Sequence, residues 1–375
     1  MKTSPFLLTV ILLANVAHAD DIATIKAVGP GAAGAAEARV ASEALTKGGA
    51  KNLLPILKSF KGSSALASNW LRSTFEAIAD AETKTGAAIP KDDLLTFVKT
   101  TSESPEARRL AYEWLLKRSP QLADQLIPNM LLDPGPDFRR DAVERLLKEA
   151  GDAKNDAATA VYRKALQGAV HEDHVKKIAK ALRDAGDEVN IQQHFGFLSS
   201  WKIVGPFDNK DKKGFPIAYP PEESLDLQAE YDGQLGKVKW EPIATEDDYG
   251  MVDIARQIEN YKGSLMYATT TYTSSKDQQV ELRLGTPNAW KLWVNGELVF
   301  EREEYHRSTK MDQYKIPVSL EAGDNVVTLK ICQNEQEDSW AQSYQFQIRV
   351  CDSTGSAIPS SNKTARRETA QGASK

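Results

Sequence analysis

Residues 291–300 read KLWVNGELVF. Two apolar runs flank Asn295-Gly296, the dipeptide that best supplies the two successive positive-φ positions of a two-residue β-hairpin. A turn there predicts Leu292 opposite Val299 and Trp293 opposite Leu298. Successive strand side chains point to opposite faces. Trp290, Leu292, Val294 and Val299 therefore fall on one face, and Trp293, Leu298 and Phe300 on the other. The first set matches the alternating Val327, Leu329 and Ile331 and is assigned to an inter-sheet core. The second leaves three large apolar groups on an outer face, a patch that solvent does not tolerate casually. Two covers are open to it: the end of an upstream helical region, or a ligand. The short aromatic connection QQHFGFLSSW favours the helical region, because such a link suits a fixed interface better than a tether.

Outward from the hairpin, the second half of the chain reads as short strands punctuated by turns. SWKIVGPF, GKVKWEPI, SLMYATTTYTSS, QQVELRLG, YKIPVSL, NVVTLKICQ and SYQFQIRVC are separated by Gly-Asp, Asn-Gly and Pro-Pro breaks. This pattern indicates an all-β sandwich or jelly roll. Composition shifts near residue 190. Residues 32 to 186 are instead rich in Ala, Leu, Arg, Lys and Glu, with an internal repeat. Arg72-Ser-Thr-Phe-Glu-Ala-Ile, Arg109-Leu-Ala-Tyr-Glu-Trp-Leu and Arg140-Asp-Ala-Val-Glu-Arg-Leu share one pattern. A shorter apolar helix precedes each, which predicts stacked helical pairs burying one another's apolar faces. The Arg and Glu of the pattern lie four apart on one helix face. They read as an intra-helix ion pair or a ladder between repeats rather than as catalysts.

The run WKIVGPFDN…GF…YPPE, then LWVNGELVF, then SLEAGDNVVTLKI and a closing aromatic strand resembles the galactose-binding-like β-sandwich, of carbohydrate-binding-module type, found in secreted bacterial proteins. Its most specific pieces are the W-x-V-N-G hairpin and the run from Leu320 to Lys330. The upstream repeats resemble HEAT repeats in style. The expected organisation is a signal peptide (1–19), a HEAT-like α-solenoid (20–189), a galactose-binding-like β-sandwich or jelly roll (190–352) and a disordered tail (353–375). The tail contains an Asn362-Lys363-Thr364 sequon, relevant only in a eukaryotic source.

Lys2, the apolar run Phe6 to Ala14 and Ala17-His18-Ala19 make a secretory leader, whose apolar stretch is too short to span a bilayer. Export to the periplasm, cell surface or medium is expected, without membrane insertion. Removing the leader's single Lys takes the formal charge from −5 to −6. That mild acidity argues against nucleic acid as partner. Cys332 and Cys351 are too few for a disulfide framework. They sit at opposite ends of an expected final hairpin, too far apart to bond.

No nucleophile elbow, metalloprotease helix, paired-cysteine or phosphate-loop motif is present. Gly29-Pro-Gly31-Ala-Ala-Gly34 spells a dinucleotide fingerprint, but no strand precedes it, so it reads as a linker. His171 and His174 could share a helix face, yet no third ligand is nearby. Asp208, Asn209 and Asp211 offer oxygens to a structural Ca²⁺, although the intervening lysines reduce the net charge. No other cofactor is expected. Sugar modules use exposed aromatic rings as stacking platforms with polar groups on the hydroxyls. The candidate ligand contacts are therefore Trp293, Tyr305, Arg307, Glu337 and Trp340. The expected function is an exported, non-catalytic binding or scaffold protein. Its helical repeats dock a protein partner and its sandwich binds carbohydrate or a surface partner. A polysaccharide hydrolase with its site in the β domain is the alternative from another class, and a purely structural cell-surface component is a third.

Overall fold

A computed structural model describes residues 19–85 and 89–361. The leader up to residue 18 and the sequon lie outside them. The chain divides into two compact units, one ending at Ala169 and the other beginning at Val170. The second unit takes in the two helices that precede the first strand.

In the first unit, helices α1 (Ala35–Gly48), α2 (Leu53–Ser59), α3 (Ala65–Thr85), α4 (Lys91–Lys99), α5 (Pro105–Arg118), α6 (Leu122–Leu126), α7 (Pro136–Asp152) and α8 (Asp156–Gly168) follow one another. The short helices α2 and α4 each insert an apolar triplet beneath the next long one. Leu53, Ile56 and Leu57 join Leu71, Phe75 and Ile78 in one continuous core that also holds Leu94, Phe97 and Val98. Local chemistry sets the helix starts. Ser104 accepts from the Ala107 amide and Pro105 follows at the first helical position, both favourable at an N-terminus. Gly31 and Gly34 have φ of 66° and 76° in a turn after the helical stretch 19–26, so the Gly-rich motif is indeed a connection. No helix among the described residues is long and apolar enough to cross a membrane.

In the first two copies of the repeat pattern the shared Arg does what its spacing suggests. Arg72 pairs with Glu76 at 3.9 Å, and Arg109 with Glu113 at 2.9 Å. Arg109 also reaches Asp141 of α7, linking successive repeats. Its neighbour Arg108 is more deeply placed. Fully buried, it holds Asp133 through two bonds of 2.8 and 2.7 Å and the Val98 carbonyl at 2.8 Å.

The second unit opens with α9 (Glu172–Asp184) and α10 (Ile191–Phe195). His174 lies on the buried face of α9. Two antiparallel sheets follow. The larger runs in the order β4 (Glu241–Ala244), β1 (Ser200–Asp208), β6 (Ser264–Ser274), β11 (Gly323–Gln333), β8 (Ala289–Val294), β9 (Glu297–Arg302). The smaller runs β10 (Tyr314–Leu320), β7 (Gln278–Gly285), β12 (Gln345–Cys351), β5 (Val252–Asp253). A separate hairpin joins β2 (Glu230–Gly233) to β3 (Gly236–Lys239). Trp290, Leu292, Val294, Val327, Leu329 and Ile331 line the core between the sheets, as the alternation predicts. Asn325, fully buried, donates to the Glu321 and Gly323 carbonyls and accepts from Asn295. It ties the β10–β11 turn to the tip of the opening hairpin, which accounts for an Asn within the Leu320–Lys330 run.

Three expectations are corrected. Asn295 and Gly296 take positive φ of 52° and 83°, but the ladder shifts between Leu292 and Trp293. Val299 is the extra residue of a bulge, so Leu292 pairs with Phe300 instead of Val299. Phe300 consequently leaves the outer face and stacks on Trp290 at 5.1 Å. Cys332 and Cys351 are free and buried, yet there is no final hairpin: β11 and β12 lie in different sheets. Residues 353–361 pack rather than trail away. The Tyr272 hydroxyl donates to the Ile358 carbonyl at 2.7 Å, and the Thr273 amide to Ser360 Oγ at 3.1 Å.

Candidate functional site

The chain itself covers much of the outer face of the larger sheet, with the excursion between β1 and β4. Phe215, Tyr231 and Trp240 of that segment close a second small core on Val204, Phe207, Leu265, Tyr267, Ala289 and Cys332 of the sheet, with Trp293 packed at its edge. This corrects the expectation of a helical cover.

The cover is fastened through one buried cation. Lys330 sits at an outward position of β11 with its side chain fully enclosed. Its Nζ donates to the Phe215 carbonyl at 3.0 Å, the Ile217 carbonyl at 2.7 Å and Glu222 Oε1 at 2.7 Å. The Tyr267 hydroxyl donates to the same carboxylate oxygen. Burial lowers the Lys330 ammonium from its ordinary value even though the Glu222 bond works to raise it. Burial, reinforced by Glu222, pushes the Tyr267 phenol upward. These groups are structural fasteners joined through Glu222 Oε1. Burial also pushes the Cys332 thiol to about 12 and that of Cys351 to about 11, so neither is a thiolate nucleophile near neutral pH.

Beside this fastening the cover stops short of the hairpin and leaves an open cleft of about 520 Å³. The half-buried Trp293 lines it. Pro221, Glu222, Glu223 and Leu225 of helix α11 (Pro220–Glu223) and the residues after it form one wall, and Asn295, Val326 and Thr328 the other. Glu223 is exposed and also lines the cleft. A partly open indole beside carboxylate and hydroxyl groups can stack an apolar sugar face and accept hydrogen bonds from its hydroxyls.

Of the ligand contacts expected from sequence, only Trp293 lines this cleft. Tyr305 packs at the edge of the second core, where its hydroxyl accepts from Asn209 Nδ2 at 3.2 Å. Trp340 is 60 % exposed and meets His306 edge-on at 5.2 Å. Glu337 is exposed in the same loop, and its carbonyl accepts from Gln342 Nε2. Arg307 pairs with Glu304 at 3.1 Å. Tyr305 and Trp340 thus share a second loop cluster, while Arg307 is spent on a surface ion pair. The three candidate Ca²⁺ ligands serve the turn after β1. Asp208 Oδ1 accepts from the Lys210 amide at 3.0 Å, Asp211 pairs with Lys213 at 2.9 Å, and Asn209 Nδ2 also donates to the Gln333 carbonyl at 3.1 Å. Among the described residues no cluster of three or more His, Cys, Asp or Glu side chains could hold a metal ion.

Sequence reasoning missed Glu222, Glu223, Thr328 and Lys330. A signal existed for Lys330, a lone cation within the alternating run NVVTLKIC of a central strand. None existed for the glutamates, which lie in an aperiodic excursion.

No family model matches the chain, and no curated protein does. Solved structures give distant matches. The β-glucosidase from Kluyveromyces marxianus in complex with glucose is 11 % identical with a TM-score of 0.27, covering 40 % of this chain and 16 % of its own. The GH31 α-xylosidase from Xanthomonas citri is 12 % identical with a TM-score of 0.21, covering 42 % and 16 %. The Podospora anserina GH26-CBM35 β-(1,4)-mannanase is 13 % identical with a TM-score of 0.15, covering 27 % and 24 %. The chain therefore spans about a sixth of the glucosidase's length, and at these scores the likeness carries no functional argument.

Proposed function

We propose that this chain is an exported, non-catalytic binding protein whose β unit holds carbohydrate in the cleft beside Trp293 and whose helical repeats, HEAT-like in style, dock a protein partner. One observation carries the carbohydrate reading: the half-buried Trp293 lining an open cleft of about 520 Å³ with Glu222, Glu223 and Thr328 around it. Trp201 and Trp290, by contrast, are closed over at 3 % and 0 % exposure. The carboxylate wall disfavours polyanionic glycans and suits neutral ones. The non-catalytic reading is supported by the cleft's chemistry. Glu222 is committed to Lys330 and Tyr267, which leaves Glu223 without a second free carboxyl, whereas glycoside hydrolysis ordinarily takes an acid–base pair. Calorimetric titration of the full chain with neutral oligosaccharides and with oligogalacturonate tests the reading. Saturable binding of a neutral oligosaccharide without release of reducing ends is expected. Binding confined to the uronate, or cleavage of any of these sugars, would contradict it.

A further inference from the structure

We infer that the helical unit carries a docking pocket for an acidic peptide segment presenting one large apolar side chain. The inference deepens the protein-docking half of the proposed function and rests on it. Phe75 and Ala79 of α3, Leu94 of α4, and Trp114 and Leu115 of α5 enclose a cavity of about 260 Å³. These five apolar side chains are all buried. An apolar cavity of roughly 150 Å³ already accepts a benzene-sized group, and drug-sized ligands occupy about 300 Å³ or more. The space therefore fits a single anchoring side chain, such as Leu or Phe, better than an extended small molecule.

The rim selects the anchor's neighbours. Lys91 and Arg118 flank the opening, both exposed. Among the described residues neither has a carboxylate partner. Lys91 Nζ donates only to Ser119 Oγ at 3.4 Å, and Arg118 Nη2 only to Thr83 Oγ1 at 2.9 Å. Arg72, Arg108, Arg109 and Arg145 of the same unit, by contrast, each pair with an Asp or Glu. Two cations held by hydroxyls at the mouth of an apolar hole complement carboxylates beside an apolar anchor. Asp92 and Asp93 follow Lys91 on α4 but line no part of the cavity. The chain's own C-terminal stretch does not fit. Residues 362–375 hold Lys363, Arg366, Arg367 and Lys375 against the single acid Glu368.

Calorimetry on the full chain with capped pentapeptides is the test, using Asp-Glu-Phe-Glu-Asp as the probe, with Asp-Glu-Ser-Glu-Asp and Lys-Lys-Phe-Lys-Lys as comparators. The acidic Phe peptide should bind at least about tenfold more tightly than either. Ala79→Leu, which fills the cavity, should weaken it about tenfold or more, as should Arg118→Glu at the rim, which leaves the apolar wall intact. Circular dichroism identifies any variant that has failed to fold, and the rim variant keeps the test decisive if Ala79→Leu does so. Equal affinity for the three peptides, undiminished binding in both folded variants, or no binding of the acidic Phe peptide would overturn the proposal. Decanoate displacing the peptide with higher affinity would assign the cavity to an acyl carboxylate and overturn it too. Oligosaccharide binding by the same preparations reads the β unit separately, so loss of one activity does not imply loss of the other.

Discussion

Lys330 places an ammonium group where no solvent reaches it, and three acceptors on the cover segment compensate. Removing one partner of a buried ion pair leaves an uncompensated charge and costs more than the pair itself contributes. Lys330→Met should therefore destabilise the β unit by about 3 kcal/mol in urea unfolding and speed amide exchange across residues 215–223. Adding Glu222→Met should recover much of that loss, and no recovery would show that the charge pair is not what fastens the cover. Asp312 poses the same problem in the smaller sheet. Burial acts to raise its carboxyl pKa, but bonds from Arg349 and Arg283 win and hold it below the usual carboxylate range. A carboxyl whose folded value lies below its unfolded one stabilises the fold above about pH 4 and loses that contribution as pH falls through the folded value. Asp312→Asn should cost about 3 kcal/mol at neutral pH, because Arg349 is fully buried and loses its counter-charge. It should also flatten the fall in stability below about pH 4. A variant as acid-sensitive as the parent would refute this assignment.

At the scale of elements, two adjacent arginines separate fastening from decoration. Arg108 joins the end of α4, the body of α5 and the turn before α7 through wholly buried bonds. Arg109, partly exposed, reaches Glu113 and Asp141 at the surface. Arg108→Ala should lower stability by about 3 kcal/mol or more and Arg109→Ala by about 1 kcal/mol or less; chemical denaturation of the two variants, if it gave equal losses, would contradict the ranking. The repeat pattern was legible because it recurs, yet its shared Arg is the lesser of the two, since burial is not written in spacing. The hairpin turn was legible because Asn295-Gly296 answers a local backbone demand. The bulge at Val299 was not, because the strand sequence fits either register and packing of Phe300 on Trp290 and Tyr314 decides between them. The outer-face cover escaped for a related reason. Residues 209–240 lack period, and only the folded sheet brings Phe215, Glu222 and Trp240 over Lys330.

For the molecule as a whole, the two units offer different surfaces: helices with an apolar hole rimmed by cations, and a sandwich with an aromatic cleft walled by carboxylates. The central claim concerns Trp293, the one expected ligand contact that lines the cleft. Its ring is only half-buried, so Trp293→Ala should cost well under the ~3–5 kcal/mol of a fully buried ring and leave the chain folded. The most direct measurement is retention of the full chain and of Trp293→Ala on insoluble neutral polysaccharides, with melting temperatures recorded on the same samples. The parent should be retained, and the variant should bind about tenfold less or worse while melting as a folded protein. Equal retention of the two, or no retention of the parent on any neutral polysaccharide, would contradict the assignment of the cleft to carbohydrate.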